Sequence, residues 1–532
     1  MMHNSASDPK NDRVIRNPPH RDEVDPRRVS SNVEAERLMV ALIRQGVQTI
    51  AFGRARIVAE LLYRYVREQL RRHGSHLAEA VKPYRGGYLP AERREIERQL
   101  FSGELLGVTS TNALELGIDI GGLDAALIVG FPGTVASTWQ QAGRAGRGTE
   151  PAIVFFIAYN EPVDQFIMRH PEYLLGQSPE SAVIDPENLY ILAGQLGCAA
   201  AEMPLRPEDA RYFGARTGEV AGALADEGLL RAAGGAHYWA QPHQPSHRVS
   251  LRTMSQDTYT IIETTAGSQV IGQVDAISAP ELVYPEAVYL HEGQTYFVER
   301  LDLINKVAHV RREDTDYYTQ AILESLIQVK GTDREKVWGR STVRFGEVDV
   351  TWATVAFKKI QFYSTDSLGW AKVDLPSQTL ATTGVWLVPS ATVMAGVRAA
   401  GQNPSEGLIG IRNAAVHLLP LYAMCDKADI GGMIDSMNTG VPALFLYDRY
   451  SGGLGFAETA YDRLDELMEA CLQLIHECDC RDGCPSCVGV PILRPAIHAD
   501  PDAGGGFPVP KKETAVLMLQ ALLEEAGVLA AN

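Results

Sequence analysis

Four cysteines fall within ten residues, in the stretch CDCRDGCPSC, with the spacing C-x-C-x₃-C-x₂-C. Thiolates are soft ligands that suit Zn²⁺, and a turn containing glycine and proline would let Cys478, Cys480, Cys484 and Cys487 converge on one ion. Four thiolates leave no open position on the metal, so we expect a structural zinc. The alternative, a redox pair at Cys484 and Cys487, lacks the strand-to-helix context of thioredoxin-like motifs.

A second stretch, QQAGRAGR at residues 140–147, combines glycines and arginines in a pattern suited to phosphate. A guanidinium is planar and permanently charged, so Arg144 and Arg147 could stabilise charge spread over phosphoryl oxygens. Glycines at 143 and 146 would let the backbone pass close to a phosphate. Taken alone, the stretch is equally compatible with a tight turn beside a helix.

The motif is the last of four that follow one another in the first 150 residues. In chain order they are TIAFGRAR (49–56), YRGGYLPAERREIERQLFSGE (84–104), TSTNALELGIDI (109–120) and QQAGRAGR (140–147). The first places Gly53, Arg54 and Arg56 just past a predicted strand, where α/β sheets bind ligands. The third places Thr111 at the end of another strand.

Together the four motifs resemble the second RecA-like lobe of superfamily-two helicases. The resemblance implies that Arg144 and Arg147 act in catalysis on the terminal phosphates of ATP, with Arg147 as the arginine finger. Gln140 and Gln141 stand where DEAD-box proteins have His-Arg, which indicates a Gln-type branch. The implied ATP-binding residues are Gly117, Asp119, Gln140, Gly143, Arg144 and Arg147, and the implied nucleic-acid-binding residues are Gly53, Arg54, Arg56 and Thr111.

Helicases of this kind hydrolyse ATP only with a first lobe that carries a P-loop and a DExx box for the phosphates and Mg²⁺. The sequence contains no Gly-Lys-Ser/Thr loop. DEVD at residues 22–25 lies in a polar stretch with no apolar strand before it, so we do not interpret it as a metal-binding box. ATP and Mg²⁺ are therefore expected only together with a first lobe, which a partner polypeptide would carry.

The C-terminal half sharpens the resemblance. A winged-helix-like segment, VYLHEGQTYFVERLD, CDKADIGG, YDRYSGGLGFAE and the four cysteines follow the RecA-like motifs in that order. Over about residues 15–500 the chain is similar to DEAD/DEAH helicases with a C-terminal zinc domain, the bacterial MrfA type. This resemblance implies contact of the winged helix and zinc domain with single-stranded or forked DNA, 3′ to 5′ movement and a role in DNA repair.

The helices and strands that the sequence predicts around these residues indicate a multidomain α/β protein. Helices alternating with fully apolar strands indicate a parallel sheet covered on both faces. Helices followed by a hairpin at Gly234-Gly235 favour a winged helix, with a small α+β insertion as the alternative. A mainly antiparallel β-rich module follows, interrupted by a predicted helix at YYTQAILESLIQV. The predicted domains are a flexible leader (1–30), a RecA-like lobe (31–175), a winged-helix-like segment (176–249), a β-rich module (250–394) and an α+β Cys₄ zinc domain (395–532).

Composition excludes some classes of protein. The 532 residues include 45% hydrophobic residues, and no run approaches the ~20 apolar residues of a membrane span, so we expect a cytoplasmic protein without a membrane partner. The net charge is −17, yet the first 100 residues hold 19 basic against 13 acidic side chains. A basic region on an acidic protein is compatible with phosphate contact.

The sequence thus favours the C-terminal half of a repair helicase that is inactive as an ATPase by itself. A non-catalytic nucleic-acid-binding adaptor, or a relic fragment of such a helicase, is the alternative. A zinc-stabilised scaffold with no nucleic-acid role is a third hypothesis.

Overall fold

The computed structural model describes residues 11–19, 28–72, 76–116, 123–146, 151–176, 183–249, 258–265, 267–363, 367–489 and 509–530. Within these ranges no helix has both the length and the apolar character needed to cross a membrane.

A six-stranded parallel sheet organises the first part of the chain. Its strands are β1 (Asn11–Arg16), β2 (Thr49–Gly53), β3 (Val81–Tyr84), β4 (Gly107–Ser110), β5 (Ala125–Val129) and β6 (Ala152–Ile157). They lie in the order β1-β6-β5-β2-β4-β3, and every neighbouring pair is parallel. The central strands β2 and β5 are buried at every position, as apolar strands covered on both faces must be.

Helices cover both faces of this sheet. They are α1 (Ser31–Arg44), α2 (Arg56–Arg72), α3 (Pro90–Phe101) and α4 (Val135–Ala142). Helices α1 and α2 share a core with Ala51, whereas α3 packs with Ile50 and Phe52 on the opposite face. The expected parallel α/β lobe is confirmed.

Strand β1 corrects the expectation that residues 1–30 form only a flexible leader. It pairs with β6 along its whole length, at the edge of the sheet. An edge strand needs one hydrogen-bonding neighbour and can keep polar side chains at the surface, so its composition gives little warning. Arg13 lies over the ring of Trp139 at 4.5 Å, and Arg16 forms an ion pair with Glu34.

Helices α5 (Pro162–Arg169) and α6 (Glu172–Leu175) lead from the sheet into the winged helix. That unit contains α7 (Leu189–Glu202), α8 (Ala210–Phe213), α9 (Thr217–Asp226), β7 (Leu230–Ala233) and β8 (Ala236–Trp239). Leu196, Leu224 and Leu230 share its small core. Gly234 and Gly235 have φ of +58° and +77°, the geometry of a two-residue hairpin turn.

The β-rich part contains two sheets and one short helix. Their elements are β9 (Thr258–Glu263), β10 (Gln269–Asp275), α10 (Ala279–Leu282), β11 (Val288–His291), β12 (Gln294–Asp302), β13 (Val307–Arg312), β14 (Tyr317–Val329), β15 (Arg334–Trp338), β16 (Ser341–Gln361), β17 (Ser367–Lys372) and β18 (Gln378–Val388). The first sheet has the order β10-β9-β13-β12-β11, and its β13-β9 pair is parallel. The other pairs of that sheet are antiparallel.

Strand β14 overturns the predicted helix at YYTQAILESLIQV. All thirteen residues pair antiparallel with β16, from Tyr317 opposite Gln361 to Val329 opposite Val348. The isolated segment has apolar spacings compatible with a helix, but the ladder with a strand that follows in the sequence decides its conformation. Tertiary pairing commonly overrides local propensity in this way.

The C-terminal part shares its sheet with the β-rich part. It contains α11 (Ala391–Ala399), α12 (Pro404–Leu418), β19 (Ile430–Asp435), β20 (Ala443–Asp448), α13 (Phe456–Asp462), α14 (Leu464–His476) and α15 (Lys512–Glu525). β19 and β20 complete a sheet of order β14-β16-β18-β20-β19, with β15 and β17 paired to β16. One sheet therefore crosses the domain boundary that the sequence placed at residue 394.

Candidate functional site

The carboxyl ends of β2, β4 and β5 meet at one edge of the parallel sheet. This edge, which we call the RecA edge, holds Gly53 at the end of β2, Arg54 directly after it and Thr111 directly after β4. A cavity of about 40 Å³ lies there. Its lining includes Arg54, Asn112, Glu115, Gln141 and, from the C-terminal part, Asp426. Ligands of open α/β sheets bind at this position.

Gly130 follows β5 directly, and its backbone packs closely against two side chains at the RecA edge. Its φ is +79°, and a Cβ atom there would lie 2.2 Å from the ring of Tyr159 and 3.2 Å from Nε of Arg54. Only glycine combines this backbone geometry with such close approach.

Arg54, a predicted nucleic-acid contact, lies between two carboxylates. Its Nη2 is 2.6 Å from Oε2 of Glu161, its Nη1 is 3.8 Å from Oδ1 of Asp164, and its guanidinium lies 4.8 Å from the ring centre of Tyr159. Burial lowers the pKa of Arg54, but the Asp164 and Glu161 carboxylates outweigh burial and hold that pKa above its usual range. In this structure the arginine forms internal ion pairs.

The two carboxylates have opposite pKa shifts. Burial raises the pKa of Glu161, but Arg54 and Lys427 outweigh burial and bring the pKa to about 2. Asp164 is fully buried, and burial raises its pKa to about 6, although Arg54 and two backbone N–H groups favour the charged form. Sequence reasoning missed both acids because they lie outside the four motifs.

The C-terminal part closes over this charge cluster. Nζ of Lys427 lies 3.3 Å from Oε2 of Glu161, and Nδ1 of His417 lies 3.8 Å from the same oxygen. Burial, with a further contribution from Lys427, lowers the pKa of His417 to about 3. His417 is therefore neutral in the folded protein at neutral pH, and Lys427 is the second cation on Glu161.

The other predicted nucleic-acid contacts sit at the same edge or beside it. Arg56 begins α2, and its Nη2 lies 3.8 Å from Oδ2 of Asp275 at the end of β10. Thr111 is buried and caps a short 3₁₀ turn, Asn112–Leu114, by accepting a hydrogen bond of 3.4 Å from the N–H of Ala113. The structure thus places Gly53, Arg54 and Thr111 at the same edge of the sheet. Arg56 lies two residues beyond Arg54, at the start of α2.

Glu115, which the sequence analysis did not single out, connects the third and fourth motifs. Its carboxylate accepts hydrogen bonds from Oγ of Ser137 at 2.7 Å and from Nε2 of Gln141 at 2.9 Å, both on α4. Its backbone carbonyl accepts a bond of 3.0 Å from Nε of Arg144. Glu115 lies within the motif TSTNALELGIDI, and its place in that motif is the signal by which the sequence could have identified it.

The predicted phosphate contacts divide into buried and exposed groups. Arg144 is 4% exposed and packs on the Glu115 carbonyl, whereas Gln140 and Gly143 are exposed at the end of α4. Arg144 therefore does not face solvent in this structure. The predicted residues Gly117, Asp119 and Arg147 lie outside the described residues, as does DEVD at 22–25.

The four predicted metal ligands converge. The Sγ–Sγ distances are 3.5 Å for Cys478–Cys484, 3.6 Å for Cys480–Cys487 and 3.7 Å for Cys484–Cys487, and all four sulfurs lie within 4.8 Å of one another. A tetrahedral zinc with bonds of about 2.3 Å needs sulfurs about 3.8 Å apart. The cysteine cluster therefore fits zinc. The Sγ–Sγ distance between Cys484 and Cys487 is much longer than the S–S bond of about 2.05 Å in a disulfide.

Neighbouring elements hold the cysteine loop from several sides. Nζ of Lys512 donates to the carbonyls of Cys478 at 2.5 Å and Cys480 at 3.3 Å. Gly483 has φ of +124°, and a Cβ there would lie 2.5 Å from the carbonyl oxygen of Pro510. Oγ of Ser486 donates to Oδ1 of Asn160, which follows β6. The loop is thus fastened to α15 and to the parallel-sheet lobe.

Three family models match separate parts of the chain. The helicase conserved C-terminal domain matches residues 34–149, the winged helix domain of ATP-dependent helicase HRQ1 matches residues 184–254, and the MrfA Zn-binding domain matches residues 411–488. Each match covers an element of the architecture described above.

Full-length relatives are similar over most of the chain. The uncharacterized ATP-dependent helicase YprA of Bacillus subtilis (strain 168) is 41% identical over 471 residues, which cover 87% of this chain and 62% of YprA. ATP-dependent helicase HRQ1 of Saccharomyces cerevisiae is 31% identical over 512 residues, which cover 90% of this chain and 46% of HRQ1. The chain thus spans about half of these relatives, somewhat more for YprA.

Solved structures agree with this assignment. A crystal structure of the DUF1998 helicase MrfA bound to DNA has a TM-score of 0.70 and 38% identity, covering 96% of this chain and 66% of that protein. MrfA bound to DNA and AMPPNP gives a TM-score of 0.66 at 37% identity, covering 96% and 65%. The chain is therefore homologous to the MrfA and HRQ1 helicases over most of its length, and it contains matches to a helicase C-terminal domain, a winged-helix domain and a zinc-binding domain of this kind.

Proposed function

We propose that this chain supplies the C-terminal half of an ATP-dependent DNA helicase that acts in DNA repair. The observation that carries the proposal is the similarity over 96% of the chain to MrfA bound to DNA. A P-loop/DExx lobe on a partner polypeptide completes the ATP site, because phosphoryl transfer needs the phosphate loop and Mg²⁺ ligands as well as arginines.

In this function the RecA edge contacts the backbone of a DNA strand. Gly53 offers backbone without a side chain, Thr111 offers a hydroxyl, and Arg54 and Arg56 offer positive charge. Arg54 would exchange Glu161 for a DNA phosphate, and Lys427 remains 3.3 Å from Glu161 to balance the carboxylate. The internal ion pair therefore keeps Arg54 ordered until DNA binds.

On the nucleotide side, Arg144 and Arg147 contact the terminal phosphates of ATP, with Gly117, Asp119, Gln140 and Gly143 beside them. Arg144 must leave the carbonyl of Glu115 to do so. The charge of an arginine near a transferring phosphoryl group is worth roughly 10³–10⁵ in rate where it acts as a finger.

The four cysteines hold a structural zinc in this proposal. Zinc with four thiolates has no open position and supplies folding free energy rather than Lewis-acid chemistry. The fixed loop keeps Ser486 against Asn160, so the metal would stabilise the contact between the zinc domain and the parallel-sheet lobe.

The test is ATP turnover with single-stranded DNA, for this chain alone and mixed with a separately expressed lobe that carries P-loop and DExx motifs. We expect turnover only in the mixture, and a loss of at least about 10³-fold for Arg147→Ala. Arg398→Ala, an exposed arginine on α11, is the control and should retain activity. Turnover by the chain alone that survives Arg147→Ala would overturn the proposal.

A second candidate is a non-catalytic DNA-binding adaptor. It is favoured by one observation: both Arg54 and Arg144 are engaged by groups of the chain itself. An inactive mixture whose chain still binds single-stranded DNA, with affinity falling steeply as salt rises, would select the adaptor.

A further inference from the structure

A groove of about 690 Å³ opens on the sheet of order β14-β16-β18-β20-β19. Its walls come from β14, β16 and β19, which places the two opposite edges of the sheet side by side. Asn438 joins these edges, because its Nδ2 donates to the carbonyl of Ile327 and its Oδ1 accepts from the N–H of Val329, both at 2.9 Å. The groove thus lies where the two edges of this sheet approach each other.

Arg412 of α12 lines this groove. Its stem crosses β19 at Gly432, where a Cβ atom would lie 3.0 Å from Cδ of Arg412. Nε of Arg412 is buried, and no residue in the described part of the chain forms a hydrogen bond with it. Burial, partly offset by the Tyr447 hydroxyl, lowers the pKa of Arg412 to about 10, so the side chain remains charged at neutral pH.

Arg412 is partly exposed to the groove, and no carboxylate in the described part of the chain lies within 4.0 Å of its guanidinium. A guanidinium that is largely removed from water without a counter-ion is unfavourable, because desolvation is not offset by an opposite charge. An anionic group that enters the groove would supply that charge. The unmatched arginine is therefore the feature of the groove that selects its ligand.

The walls around Arg412 are aromatic and apolar. Trp352, Tyr447 and Met433 line the groove, and Leu326 and Met437 stand at its rim with 66% and 86% of their surface exposed. Exposed apolar side chains grouped around a cavity mark an interaction site. Aromatic rings beside a cation form the platform on which proteins stack the bases of single strands.

The acidic side chains of the groove limit the size of the ligand. Glu324 and Asp435 also line it, and Asp435 accepts hydrogen bonds from the backbone N–H and the Nδ2 of Asn438, at 3.0 Å and 2.8 Å. Two carboxylates against one guanidinium would repel a duplex with its dense charge. The arrangement fits a single phosphate at Arg412 with one or two bases against the rings.

The groove lies close to the RecA edge along the chain. Asp426 lines the cavity at that edge and Gly432 lines the groove, six residues apart. Six residues span at most about 22 Å even when fully extended. A strand that contacts the RecA edge can therefore reach the groove within a few nucleotides.

We propose that this groove binds one or two nucleotides of single-stranded DNA, with a phosphate on Arg412 and a base against Trp352. The site is separate from the RecA edge and from the winged helix, and it rests on the proposed DNA-binding function. The groove is a second binding site for the same DNA strand. It retains the strand while Arg54 and Thr111 are not in contact with DNA.

The experiment uses the full chain and a fluorescently labelled oligo-dT, with binding followed by anisotropy at several salt concentrations. Arg412→Gln should weaken binding roughly 5- to 100-fold and reduce the slope of log affinity against log salt by about one phosphate. Arg398→Gln is the matched control, an exposed arginine on α11, and should match the unaltered chain.

A second measurement needs no variant. The unaltered chain is photocrosslinked to an oligonucleotide that carries 5-iodouridine, and the joined peptides are identified by mass spectrometry. We expect crosslinks at Trp352 or Tyr447 in addition to any at the RecA edge.

The outcomes separate this site from the proposed function. Tight oligo-dT binding with an unchanged Arg412→Gln affinity, and with crosslinks confined to other elements, would overturn the groove site alone. It would leave the groove to another anionic ligand, such as a peptide carboxylate. If the unaltered chain binds no oligonucleotide, both proposals fail together.

Discussion

At the scale of single residues, Glu115 and Arg54 show how side chains outside the recognised positions control those within them. Glu115 holds Ser137, Gln141 and Arg144 through its carboxylate and carbonyl. Arg54 is held by an acid 107 residues away. Both arginines are thus ordered before any phosphate arrives, so binding would exchange contacts rather than order a mobile side chain.

Glu115→Gln should lower the free energy of unfolding by about 1.5–3 kcal/mol, because the amide keeps only one acceptor oxygen for two donors, the half-buried Ser137 and the buried Gln141. Urea denaturation measures the change. The control is Glu208→Gln, an exposed carboxylate of the winged helix, whose effect should stay within about 0.5 kcal/mol. Equal stability of the two variants would contradict the role assigned to Glu115.

At the scale of elements, the contact between α12 and the lobe of the parallel sheet depends on charge as well as on packing. His417 of α12 faces Glu161, just before α5, and Lys427, Arg54 and Arg412 also act on its pKa. Because burial keeps His417 neutral, protonating it in the folded protein costs free energy, although Glu161 offsets part of that cost. We therefore expect the contact between α12 and the lobe of the parallel sheet to become weaker at acidic pH.

The pH dependence follows from the lowered pKa of His417. Its folded value of about 3 lies below the ordinary 6.5, so the unfolded chain binds the proton more tightly and stability falls as pH drops below 6.5. The loss from this group approaches 1.4 kcal/mol per pH unit. His417→Asn should remove that component when urea unfolding is compared between pH 5 and 8.

Glu161 acts in the same direction at lower pH, since its pKa of about 2 means that its contribution is lost below about 4.5. Asp164 acts oppositely, because its raised pKa of about 6 makes stability fall as pH rises from about 4 to 6. His76→Asn, at an exposed histidine, is the control and should parallel the unaltered chain. A His417→Asn curve that also parallels it would refute the assignment.

At the scale of the whole molecule, the expected domains share structure. One sheet contains strands from both the β-rich and the C-terminal parts, and one apolar core includes Phe166 of α5, Phe345 of β16, Leu408 of α12 and Met518 of α15. The cysteine loop lies at the margin of that core, with Cys487 fully buried. The zinc domain is therefore continuous with its neighbours, and loss of the metal should affect more than its own loop.

The purified chain should contain one zinc per molecule by elemental analysis. Cys484→Ser should reduce that content severalfold and lower the thermal midpoint, because structural zinc contributes folding free energy. Cys198→Ser, at a half-buried cysteine of α7 outside the cluster, is the control and should retain the metal. Full zinc content in Cys484→Ser would show that the cluster is not the metal site.

The sequence by itself determined the features that rest on short-range pattern. The order of the four motifs, the apolar runs of β2 and β5, the hairpin glycines and the spacing of the cysteines each depend on residues close together in the chain. These features predicted the parallel sheet, the winged helix and the convergent thiols, and all are present.

Only the tertiary structure decided the features that join distant residues. The segment YYTQAILESLIQV became β14 because β16 offers a full ladder, and the polar residues 11–16 became a strand because β6 has a free edge. The ion pair of Arg54 with Glu161 and the groove around Arg412 both depend on how distant segments of the chain pack. Packing brings side chains together across hundreds of residues, and burial removes the water that would screen their charges. No local pattern records such distances, because they are set by how the sheets and helices pack.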